Sequence, residues 1–144
     1  MQSTDRYKFI DHTADAKYQA YGKNLEEAFV NAAMAMNAII IDEEKVKSKI
    51  FKTIHVTGKD LKNLLYNFLE DILVILDAEM FLLAKIKNLK IEHIDKMYML
   101  TALLEGDVAT EDYQTNEHVK AVTYNDMEIK EDKKGVSITV VVDL

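Results

Sequence analysis

The sequence predicts an α+β fold, a two-layer sandwich in which two helices pack on an antiparallel or mixed β-sheet of about seven strands. Three observations carry that expectation. Two stretches place apolar residues at three- and four-residue steps, the period of a helix with one buried face. Most of the remaining chain alternates apolar and polar residues, as half-buried strands do. No proline, linker, repeat or low-complexity run interrupts the pattern, so the 144 residues are expected to form a single domain spanning 1–144 with one core.

The first helix is predicted from Asn24 to Ala38. Asn24 is a natural N-cap, and Glu27 three residues on completes a pair resembling a capping box. Leu25, Ala28, Phe29, Ala32, Ala33 and Met36 form its apolar face, and Met34 and Met36 read as core packing. The second helix is predicted from Leu61 to Leu76, capped by Asp60 after Gly58. Its apolar stripe, running from Leu61 through Leu65, Phe68 and Ile72 to Leu76, is wide enough to lie across a sheet. Glu70, Asp71 and Asp77 read as solvated positions.

Strands are predicted at Tyr7 to Ile10 and Lys17 to Tyr21, flanking a polar turn from Asp11 to Asp15. Another follows at Ile50 to Thr57. Lys85 to Ile94 and Tyr98 to Glu105 are joined by a turn at Asp95-Lys96. A polar loop from Gly106 to His118 leads into a strand from Val119 to Lys130. Lys133 to Gly135 turn the chain into a closing strand from Val136 to Val142.

Composition narrows the chemistry. No apolar run approaches the ~20 residues that span a bilayer, and Met1 to Tyr7 lack the apolar centre of a signal peptide. A cytoplasmic protein without a membrane partner is expected. Cysteine is absent, which removes disulfides, thiolate zinc sites and cysteine nucleophiles. Oxygen ligands and four histidines remain, so calcium, magnesium or manganese is favoured for any metal. The net charge of −7 disfavours free-standing contact with phosphate backbones, and Arg6 is the only arginine. RNA is therefore expected to be reached only indirectly, through another protein. No phosphate-binding glycine motif or nucleophile elbow occurs. His55, His93 and His118 have no ligand-like spacing.

Two places could carry chemistry. The turn Asp11-His12-Thr13-Ala14-Asp15 can hold two carboxylates close, although Asp and Thr are also ordinary turn residues. The chain ends Val140-Val141-Val142-Asp143-Leu144, where an aspartate meets an α-carboxylate. Both are ionised at neutral pH, and together they suit a hard cation that takes several oxygen ligands. The competing reading is a frayed, solvated tail, which the valine run argues against. A turn at Asp15 lying beside the strand end would bring three carboxylates together.

These places also resemble a known family. Tyr7 to Asp15, continuing to Tyr21-Gly22 and Leu25 to Phe29, is similar to the opening of the archeases. Asp60-Leu61 with Leu64 to Glu70, the block Val119-Lys120-Ala121-Val122-Thr123-Tyr124 with Met127, and the terminal Asp143-Leu144 follow in the family's order. The resemblance implies an accessory protein, not an enzyme. Archeases promote guanylylation and multiple turnover of the RNA-splicing ligase that joins 3′-phosphate or 2′,3′-cyclic-phosphate ends to 5′-hydroxyl ends in tRNA maturation. It implies a metal site, with calcium the expected ion, on Asp15, Asp143 and the carboxylate of Leu144. Asp11 and His12 are implied as supporting residues. Lys120 is implied as a partner-facing lysine, its alternative being an ordinary exposed strand residue. Asn125 stands where many relatives carry histidine, and Asp107 to His118 lacks the relatives' basic, proline-containing pattern. Two other readings compete: a metal-dependent phosphoesterase or hydrolase using the same carboxylates, and a general chaperone or interaction module.

Overall fold

The computed structural model describes residues 3–11 and 14–144. Its order is β1 (Tyr7–Ile10), β2 (Asp15–Gly22), α1 (Leu25–Ile40), a 3-10 turn (Glu43–Lys45), β3 (Ile50–Gly58), α2 (Leu61–Glu79), β4 (Phe81–Ile94), β5 (Met97–Val108), β6 (Ala121–Val122), β7 (Glu128–Asp132) and β8 (Gly135–Asp143). The fold class is the predicted α+β arrangement of two helices on antiparallel strands. The strands, however, divide into two sheets. The first runs β1-β2-β8-β6, with β7 also on β8; the second runs β3-β5-β4. Every pairing is antiparallel.

Both helices begin where their caps place them. The Asn24 side chain accepts from the Glu27 N–H at 2.9 Å, and Asp60 accepts from the Asn63 N–H at 2.8 Å. α1 extends two residues past the expected Ala38 because Ile39 buries against the core. α2 continues through the helix-tolerant Asp77-Ala78-Glu79 and stops at Met80, whose φ of 51° closes the last turn in a left-handed cap.

Packing ties both helices to both sheets. α1 lies against β2 and β8 of the first sheet and β4 of the second, while α2 lies against β3, β4, β5 and β6. Two buried asparagines fix α1 between them. Asn31 Nδ2 donates to the Tyr21 carbonyl on β2 at 2.6 Å, and Asn37 Nδ2 donates to the Leu83 carbonyl on β4 at 2.9 Å. Phe29 of α1 and Phe68 of α2 stack with centroids 6.2 Å apart, joining the helices in one core. Met34 and Met36 are buried there, as their spacing implied.

Several expectations need correction. The strand predicted from Val119 to Lys130 is two short strands, β6 and β7, separated by a turn. In that turn the Met127 N–H donates to the Tyr124 carbonyl, and Asp126 takes a left-handed φ of 54°. Continuous alternation there hid two turn formers, Asn125 and Asp126. Gly106 to Val108 belong to β5, not to the loop after it. Of the three acidic residues read as solvated on α2, only Asp77 is exposed; Glu70 and Asp71 are half-buried. Among the described residues no helix is long and apolar enough to cross a membrane.

Candidate functional site

The end of β8 is held on both sides. β2 runs along one edge, with Asp15 directly opposite Asp143 and Ala16 opposite Val142. On the other edge β7 covers Gly135 to Thr139, and β6 covers the last two positions, Ala121 lying opposite Asp143. The Lys120 N–H donates to the Asp143 carbonyl at 2.8 Å. Thr123 donates twice to the Val141 carbonyl, from its hydroxyl at 2.8 Å and from its N–H at 3.2 Å. Leu144 packs against the core. The frayed-tail reading does not survive this anchoring.

Alternation decides which face each side chain takes. Ala16, Tyr18 and Ala20 of β2, with Val140 and Val142 of β8, turn into the core. Asp15, Lys17 and Gln19 therefore share the opposite face with Asp143, Val141 and Thr139. Directly opposed residues of an antiparallel pair carry their Cβ atoms about 4.5–5.5 Å apart. Two carboxylates of like charge thus meet at one corner of the sheet, Asp143 exposed and Asp15 half-exposed. Sequence reasoning missed the flank of this corner. Lys17 Nζ lies 3.3 Å from the Asp126 carboxylate. Strand alternation places Lys17 beside Asp15, but Asp126 comes from the turn hidden in the presumed long strand.

The other expected site residues divide. Asp11 is exposed just beyond β1. His12 lies outside the described residues. The Lys120 side chain is exposed, and its backbone is tied to Asp143. Among the described residues no three His, Asp or Glu side chains gather into a metal-binding group. The donor set at the corner is consequently two aspartates in register, with Leu144 following the second. An all-oxygen, anionic set of this kind fits a hard divalent cation, and its small number leaves further positions for water or a partner's groups.

The comparisons with known proteins agree with the fold. The Archease protein family (MTH1598/TM1083) matches residues 7–144. The chain belongs to the archease family. It is 42% identical over 126 residues to the protein archease of Pyrococcus abyssi, covering 87% of this chain and 88% of that one. To the protein archease of Sulfurisphaera tokodaii it is 38% identical over 144 residues, covering 96% and 99%. The solution structure of Methanobacterium thermoautotrophicum protein 1598 superposes with a TM-score of 0.85 at 34% identity, covering 98% of this chain and all of that one. An archease crystal structure from Thermotoga maritima, at 16% identity and a TM-score of 0.56, shares the fold.

Proposed function

We propose that this archease is an accessory protein for an RNA-splicing ligase, promoting its guanylylation and repeated turnover, and is not itself an enzyme. Family membership supports this reading, and so do the residues that the resemblance names for the site. The observation that carries it is the register of Asp15 against Asp143. That register sets two oxygen donors side by side at an accessible corner, a donor type that suits a hard divalent cation.

Asp15, Asp143 and the carboxylate of Leu144 would hold a hard divalent cation, calcium for preference. When bound, such an ion supplies positive charge that offsets phosphate charge during transfer of GMP to the ligase. The chain's own part is to present the carboxylates rigidly. Val140, Val141 and Val142 are fully buried, and Lys120 and Thr123 clamp the backbone around Asp143. The acidic corner is complementary to the lysine- and metal-rich cleft of a nucleotidyl-transferring enzyme. A cytoplasmic location follows from that partner.

The test is ligation by the cognate ligase at limiting enzyme, with and without this protein. Faster guanylylation and multiple turnovers are expected, and loss of both in Asp143→Ala. Unchanged ligase turnover would sink the proposal. Phosphoester hydrolysis by the purified protein alone would favour the hydrolase reading, and capture of many unrelated clients the chaperone reading.

A further inference from the structure

The ends of α1 and α2 meet at one cleft, and the chain between β5 and β6 crosses over both. The Asn116 N–H donates to the Ile40 carbonyl at 2.7 Å and the Glu117 N–H to the Ile39 carbonyl at 3.2 Å, which ties this loop to the end of α1. The Ala109 N–H donates to the Met80 carbonyl at 2.6 Å, which ties it to the end of α2. The cleft has a volume of about 420 Å³, and its apolar walls include Leu73, Leu76, Met80, Phe81 and Val119.

Two properties distinguish this cleft from an ordinary surface dip. Met80 ends α2 at a φ of 51°, a left-handed cap that glycine takes freely and methionine takes with strain. Its side chain is nevertheless 59% exposed at the cleft. Folding alone gives no return for that strain or for an apolar side chain in water, whereas a flexible thioether suits a surface that closes on a partner. The second property is charge. Asp77 and Glu117 line the cleft, and no lysine or arginine does. His118, 3.9 Å from Asp77, is the only lining group among the described residues able to carry positive charge, and even protonated it leaves the lining negative. Neither helix has a basic residue in its last turn, where one would offset the negative end of the dipole. The nearby lysines do not reverse this balance. Lys52 engages Glu79, which helical spacing puts on the opposite face of α2 from Asp77, and Lys120, next after Val119, lies outside the cleft.

We infer that this cleft docks a segment of a partner protein in which apolar side chains are flanked by lysine or arginine. An apolar side chain displaces water from Leu73, Leu76 and Phe81, and Met80 closes over it. The flanking cations meet Asp77, Glu117 and the negative helix ends. The volume is that of a site for a small ligand or a few side chains. The sign of the charge excludes a phosphate-bearing occupant, and an inorganic cation has no use for the apolar walls. A second copy of this chain, at a net charge of −7, is repelled by an acidic cleft. The cleft does not include Asp15 or Asp143, and the inference does not rest on the ligase reading.

The test is an NMR titration of the full isotope-labelled chain with the peptide acetyl-Lys-Leu-Leu-Lys-amide, and with acetyl-Glu-Leu-Leu-Glu-amide and acetyl-Lys-Ser-Ser-Lys-amide as controls. Amide shifts are expected to concentrate in residues 73–82 and 109–119, with the lysine-leucine peptide binding about tenfold tighter than either control. Met80→Gly separates docking from folding. Glycine relieves the left-handed cap, so the melting temperature should not fall, yet peptide affinity should drop about fivefold. Met80→Leu should keep most of the affinity. Asp77→Asn combined with Glu117→Gln should remove the preference for the lysine-leucine peptide over the glutamate one. Shifts elsewhere or none, equal binding of the glutamate or serine peptide, or affinity indifferent to Met80→Gly would each overturn the assignment. So would sedimentation showing a dimer of the free chain that Met80→Gly abolishes, because the cleft would then belong to a second copy.

Discussion

Asp15, the first residue of β2, stands directly across from Asp143, the last residue of β8, though the two lie near opposite ends of the sequence. Their like charges share one face of the sheet. Like charges directly opposed across a strand pair are unfavourable, so Asp143→Asn should not lower the melting temperature in chelator. Calcium should reverse the ranking if the corner is its site. At a hundred times its Kd, an ion bound only by the folded chain adds about 2.7 kcal/mol. Differential scanning calorimetry with and without calcium reads both effects. If wild type and Asp143→Asn gain equally from calcium, the corner is not its site.

The helices and the site were legible to different degrees. Asn24 and Asp60 announced their helices because capping is local: an N-cap and its acceptor geometry lie within three residues. The split of Val119 to Lys130 was legible in principle at Asn125-Asp126, but alternation on either side outweighed it. Division into two sheets was not readable, because alternation fixes which residues face the core and leaves strand partners open. The meeting of Asp15 with Asp143 is likewise a long-range register. It was expected only because the residues resemble a family's.

Tyr18 supplies a test of the core. Its hydroxyl is fully buried, with no hydrogen-bond partner among the described residues, and burial pushes its ionisation far above the ordinary tyrosine range. Removing a buried, unsatisfied hydroxyl while keeping the ring should stabilise the fold by about 1 kcal/mol, so Tyr18→Phe should melt higher than wild type. The pH dependence follows from the same burial. Above about pH 10 an unfolded tyrosine loses its proton while Tyr18 keeps it. The native state then binds more protons, and stability falls as pH rises. Chemical denaturation between pH 8 and roughly 11 should show a shallower alkaline decline for Tyr18→Phe.

Asp107 gives the acid-side counterpart. The Tyr113 hydroxyl donates to its carboxylate at 2.7 Å while accepting from the Lys47 N–H at 3.2 Å. The Tyr113 hydroxyl, then the Val108 N–H, hold the Asp107 carboxyl below its usual range, and Lys49 and Lys47 add to the effect. A depressed carboxyl stabilises the fold above its unfolded pKa and ceases to do so as pH falls through the folded one. NMR titration should find Asp107 ionising at lower pH than a free aspartate, and Tyr113→Phe should move it back up. No movement would mean that the hydroxyl does not set the titration.

Lys120 separates a structural backbone from a partner-facing side chain. Its N–H holds the Asp143 carbonyl, a contact that any residue except proline can make, while its ammonium group is exposed. Lys120→Ala should therefore change stability by no more than about 0.5 kcal/mol, with calcium stabilisation intact. If the ammonium contacts the ligase, the same variant should lower ligase activation at least severalfold. Lys120→Arg, which keeps the charge, should retain more activity than alanine. Lys120→Pro should instead loosen the clamp on β8 and weaken calcium stabilisation. Comparison of ligation rates and melting temperatures across the three variants reads both roles. Full activation by Lys120→Ala would assign Lys120 to the backbone role alone.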